Sequence, residues 1–264
     1  MSAESASFEP ITNARRQGVT VRSRFYLGMT LVMAAIVLVG FFPTLFGRAA
    51  FNVPKMPTYL YLHGSMVAGW FALVVAQATL VGRNRLATHR RLGWAALAFL
   101  VIIPVAGMSA QLAMPHRLRE LGALEPLIGL VQTIFWLNLF SASQFVGYVG
   151  AAVLLRKRSE THKRLMLFGS IAIILPAAAR FSRWPIFGNT NADFSQPSST
   201  GNDVFFALGC MLLLAGAIVV HDLLSRRRPH TVTVVCTVIL TGMALLVPVI
   251  GNSEWGKAFV WSLT

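Results

Sequence analysis

The sequence predicts an all-α, polytopic membrane helical bundle of about seven transmembrane helices, and three observations carry that expectation. Charged residues make up only 12% of the chain and hydrophobic residues 55%, whereas a soluble domain carries about 25% charge. The apolar residues fall in long runs, each near the roughly 20 helical residues that cross a hydrocarbon core. The basic residues gather in alternate connections, so their pattern is topological.

Taken in order, residues 1–24 form a polar tail expected on the cytoplasmic side. A transmembrane domain follows over 25–251, with spans expected at 25–46, 59–82, 92–114, 126–155, 165–186, 204–220 and 231–251, and residues 252–264 form an external tail. The first apolar run is too long for the core of a cleaved leader and has no small-x-small site before Arg48, so it reads as an uncleaved anchor. The fifth span is the shortest argument. Its uncharged run, Leu165 to Ala179, has 15 residues and must continue past Arg180 and Arg183 to Ile186. Without it, the arginine-rich connections on either side would lie on opposite faces of the membrane.

Sixteen of the 23 Lys and Arg lie in the N-terminal tail and in the second, fourth and sixth connections, around Arg83 to Arg91, Arg156 to Arg164 and Arg226 to Arg228. The positive-inside rule puts these segments in the cytoplasm of a bacterial cell with the chain in its inner membrane. Anionic lipid headgroups are the partners such clusters attract. The net charge of +14 does not imply a nucleic-acid partner, because the basic residues do not form one face of a soluble fold. Cys210 and Cys236 fall inside spans and read as small buried hydrophobes. The chain contains no P-loop, GxGxxG, GxSxG or HExxH motif, and no acidic residue lies within an expected span, which leaves a carboxylate relay without a carrier.

An internal repeat is the most informative feature. RNRLATHRRL, Arg83 to Leu92, aligns without gaps on RKRSETHKRL, Arg156 to Leu165, with six of ten positions identical at an offset of 73 residues. Each copy joins a descending span to a returning one, so the second and third spans are expected to form a parallel repeat with the fourth and fifth. Thr88 and Thr161, just before the returning spans, are expected as N-caps. Pro104, Pro176 and Pro248 are expected to kink their helices.

HRRLGW at His89 to Trp94, HKRLM at His162 to Met166 and HGSMVAGW at His63 to Trp70 resemble a bacterial family of uncharacterised multi-pass membrane proteins with a histidine at the start of two inward-loop helices. More distantly, paired histidines in a repeated bundle are similar to b-type haem membrane proteins of the cytochrome b561 and haem A synthase kind. The resemblance covers roughly Tyr59 to Arg180 and implies haem b, with His63, His89 and His162 as candidate ligands and no metal beyond the haem iron.

Two candidate sites follow from the residues. The repeat sets His89 and His162 at equal depth, where two neutral imidazoles can ligate one iron; the plainer reading is a basic belt at the headgroups. Nearer the outer face, His63, Trp70 and Gln77 recur every seven residues and share a face. With Gln132, Trp136 and Arg180 they form a candidate substrate or anion pocket, because ionisable residues in lipid turn inward. The external stretch from Gly188 to Asp203 could cover it. Arg180 could grip a carboxylate; the plainer reading is hydrogen bonding between helices. The functions expected are haem b or quinone binding with electron transfer, or alternatively a cofactor-free transporter or lipid- or anion-binding protein. An assembly factor without a pocket is the third.

Overall fold

A computed structural model of the chain describes residues 11–53, 55–120, 122, 124–184, 186 and 201–263. These residues are folded as helices with short connections and no strand: α1 (Ile11–Leu45), α2 (Thr58–Gly82), α3 (Leu86–Leu92), α4 (Ala95–Glu120), α5 (Leu124–Leu154), α6 (Ser159–Ala172), α7 (Leu175–Phe181), α8 (Gly201–Arg226), α9 (Thr231–Asn252) and α10 (Glu254–Trp261). Among the described residues six helical stretches are long and apolar enough to cross a membrane: 24–45, 58–82, 86–120, 127–154, 203–226 and 231–252. The chain is therefore built as a multi-pass membrane protein. Its outer faces are accordingly apolar, with Val101, Leu154, Leu213, Leu224 and Val238 all more than 60% exposed.

The expected span at 165–186 departs from a straight helix. It begins earlier, at Ser159, and divides into α6 and α7, which are bent by 55°. Pro176 explains the break. It has no N–H to donate to the carbonyl of Ala172, where α6 ends, and it suits the first turn of a new helix. Pro104, by contrast, lies inside a continuous α4. The expected third span instead loses its first turns as a separate short helix, α3, set off at Gly93 and Trp94.

Thr88 and Thr161 are not N-caps. Both lie inside helices whose caps are Arg85 and Arg158, because the helices start ahead of the apolar runs. Asn84 makes the turn between α2 and α3 with φ of 55°, a left-handed conformation that Asn tolerates better than most residues. His116, Arg117 and Arg119 belong to the last turns of α4 and not to a loop. The segment 252–264 likewise contains α10, which is packed against α9 and α5. Of the stretch Gly188 to Asp203, residues 188–200 lie outside the described ones.

The core runs through the bundle from Met33 and Val37 of α1, through Trp70 and Phe71 of α2 and Phe145 of α5, to Phe168 of α6 and Ile218 of α8. Without a hydrophobic drive between helices in lipid, close approach has to come from small residues. Gly40 shows this: a Cβ there would collide with the backbone carbonyl of Ala177. Only glycine lets α1 lie directly on α7.

Side-chain contacts gather one set of helix ends together. Phe25 at the start of the described part of α1 stacks on His221 near the end of α8, with centroids 3.8 Å apart. Lys163 of α6 sits 4.5 Å over the Tyr26 ring. Asp222 of α8 bonds Thr233 of α9 and Arg164 of α6. The ends that carry the basic connections therefore meet at one end of the bundle, called the basic end below.

Candidate functional site

At the basic end the two repeat histidines come together. His89 on α3 and His162 on α6, 73 residues apart in the chain, have ring centroids 6.4 Å apart and planes at 87°. Each ring leans on the helix before it. His162 Nδ1 lies 2.8 Å from the carbonyl oxygen of Ala152 on α5, and His89 is hydrogen-bonded by the backbone of Gln77 on α2. Both partners are backbone groups a few residues before the preceding helix ends, so the geometry repeats along with the sequence.

A ring nitrogen bonded to a carbonyl must carry the proton, which leaves the other nitrogen of His162 as a lone-pair donor. This is the way metal-binding histidines are commonly oriented. His89 Nδ1 is buried without a partner, and so is Oε1 of the neighbouring Gln77. A metal–imidazole bond is about 2 Å, so two axial rings sharing one iron have centres roughly 6 to 6.5 Å apart. The observed 6.4 Å and crossed planes match that spacing. The donor set, two neutral imidazoles and no acid, suits haem iron better than a hard cation. Among the described residues no cluster of three or more His, Cys, Asp or Glu side chains could hold a free metal ion.

His63, the third histidine of the expected set, is not part of this pair. It lies 14 residues before Gln77 on α2, about 21 Å along the helix. Its imidazole rests on Gly107 of α4, with Cε1 3.0 Å from where a Cβ would stand. The charge of Arg180 reaches it, as the expected common depth of these two residues requires.

The rest of the expected outer pocket is divided among different contacts. Trp70 is fully buried; its Nε1 donates to Ser170 Oγ at 3.1 Å and its ring meets Phe99 and Phe145. Trp136 turns to α10, against Trp255 and Phe259 at 5.4 and 5.7 Å. The two tryptophans share no ring contact. Gln132 is buried on α5. Arg180 donates to the carbonyl of Pro176 at 2.9 Å and lies 4.9 Å over the Phe41 ring. A cavity of about 20 Å³ opens elsewhere, between Ser141 and Gln144 of α5, Leu208 and Met211 of α8 and Leu240 of α9. That is room for about one water.

The sequence gave little warning of a buried charge network beside the histidine pair. Arg164 is 1% exposed and Asp222 is fully buried. Arg164 Nε donates to both carboxylate oxygens of Asp222, at 3.1 and 3.2 Å, and its Nη2 makes a further short contact to Asp222. Arg164 Nη1 donates to Glu160 Oε2 at 2.7 Å, and Glu160 also pairs with Lys163 at 2.7 Å and Arg226 at 3.6 Å. Asp222 accepts in addition from the backbone N–H of His230 at 3.0 Å and from Thr233 Oγ1 at 2.6 Å.

Sequence reading left Arg164 at the headgroups and Asp222 beyond the span that ends at Val220. α8 continues to Arg226, so an acidic side chain does enter the bundle. The spacing of Glu160 and Arg164, one helical turn apart, was the available signal. In the connection before α9, His230 Nδ1 accepts from Val232 N–H and caps the helix. Burial, and then the charges of Arg164 and Arg226, lower its pKa from the ordinary 6.5. Comparison with models of known protein families, with curated proteins and with solved structures finds no match to this chain.

Proposed function

We propose that this protein is a seven-span inner-membrane protein that holds one haem b between His89 and His162 and takes part in electron transfer. The observation that carries this reading is the meeting of two repeat-related imidazoles at an axial-ligand spacing, each oriented by a backbone group. The orphaned His89 Nδ1 adds a buried polar atom in need of an occupant. Bound there, haem would supply a one-electron couple tuned by its ligands and by burial. The protein's part is to hold the two rings, keep their tautomers and limit water at the pair.

Counting α6 and α7 as one broken span makes seven. The N-terminus is then cytoplasmic and the α2–α4 and α5–α6 hairpins form a parallel repeat. The exposed Arg83, Arg85, Arg90, Arg91, Arg156, Lys157 and Arg158 then face anionic headgroups. This reading also accounts for the basic residues in the first turns of α3 and α6, which the helix dipole alone disfavours.

The test is the absorbance of detergent-purified protein, from cells supplied with haem, between about 400 and 600 nm. A Soret band is expected, with the low-spin spectrum lost in His89→Ala and in His162→Ala but kept in His63→Ala. Folded, colourless protein with no extractable haem would overturn the reading. If such protein were stabilised by a small anion and lost the effect in Arg180→Ala, the anion-binding alternative would replace it.

A further inference from the structure

The polar face of α2 runs from Gln77 at the histidine pair to His63 at the other end of the helix, and that second end has unmet hydrogen-bonding groups of its own. His63 Nδ1 is buried without a partner. Its ring lies on Gly107 of α4, a position where any side chain would displace it. One helical turn further along the same face of α4 is Gln111, 5% exposed. Its Oε1 accepts from Asn138 Nδ2 of α5 at 2.6 Å, and this bond orients the amide so that Nε2 is left buried with no partner.

We propose that His63 and Gln111 form a binding site for the head group of a membrane quinone, at the opposite end of α2 from the histidine pair. The chemistry of the two groups selects the ligand. An amide nitrogen only donates, and an imidazole nitrogen donates in one of its tautomers, so the occupant must present acceptor oxygens. Two polar atoms left unmet among apolar helices are costly, which favours an occupant that meets both.

The surroundings select further. Leu62 and Leu112, the chain neighbours of the two site residues, are 54% and 40% exposed on the lipid-facing side, so a ligand dissolved in the bilayer reaches the site from the side. His63 is itself only half-buried. A flat ring bearing carbonyl oxygens fits a glycine-floored gap between two helices. A carboxylate would need a free guanidinium, and the nearest one, Arg180, already bonds Pro176 and covers Phe41. The site extends the electron-transfer reading but stands on different residues, so either can fail alone.

The test uses full-length protein in nanodiscs of zwitterionic lipid after native quinone has been extracted, titrated with ubiquinone-1 by calorimetry. Saturable binding is expected. His63→Phe and Gln111→Met should each weaken it about tenfold, the loss of one hydrogen bond. Gln111→Glu tests the same donor while keeping an acceptor for Asn138, should the Met variant fold poorly, and should weaken binding as much. His162→Ala should lose the Soret band and leave quinone affinity unchanged. The proposal is overturned if wild-type protein binds no ubiquinone-1, if the variants bind it as tightly as wild type, or if benzoate competes and Arg180→Ala abolishes the binding.

Discussion

Replacing Asp222 with Asn should destabilise the protein more than any other single change at the basic end. The carboxylate is fully buried and receives the guanidinium of Arg164, the His230 N–H and the Thr233 hydroxyl. An Asn keeps the shape but carries no charge, so Arg164, itself 1% exposed, would be left with Glu160 alone as counter-ion. Breaking a buried pair from one side costs about 3–5 kcal/mol. Glu160 remains at 2.7 Å, which places the expected cost near the lower end, about 3 kcal/mol. The assay is reversible unfolding in mixed micelles, with folded helix content read by circular dichroism. Arg164→Met with Asp222→Leu, which removes both charges, should recover most of the loss, because the penalty lies in the uncompensated charge. A cost under about 1 kcal/mol for Asp222→Asn, or a double variant as unstable as the single one, would refute the reasoning.

Two smaller predictions concern the same scaffold. His230 has its pKa lowered in the folded state, so the stability it contributes is present above the ordinary value of 6.5 and is lost as pH falls below it, when the unfolded chain binds the proton more readily. Protonation also removes the acceptor for Val232 N–H. Unfolding between pH 7.5 and 5.5 should therefore show a decline that is reduced in His230→Asn, which caps a helix without titrating; an identical decline in the variant would exclude His230 as the source. Gly40→Val should force α1 off α7 at a cost of about 1–3 kcal/mol, seen as a lowered melting temperature in detergent. An unchanged melt would mean that the two helices tolerate separation at that point.

The wavelength of the apolar runs and the placement of the arginines were enough to recognise a bundle of membrane helices, since both follow from the solvent and need no tertiary contact. The repeat was also legible, because a duplicated hairpin leaves matching residues at a fixed offset. It led to His89 and His162, and these two rings do meet.

What the sequence could not reveal is which polar residues find each other across helices. Hydropathy ended the sixth span at Val220, yet Asp222 is drawn into the bundle because Arg164, Thr233 and the His230 N–H converge on it. Trp70 and Trp136 looked like members of one pocket by depth. Their directions around the helix axis send one to Ser170 and the other to α10. Gln111 was one polar residue in an apolar run until Asn138 took one end of its amide. Depth along a helix is written in the chain at about 1.5 Å per residue, whereas azimuth and neighbour depend on how all the helices pack, and only the folded bundle decides them.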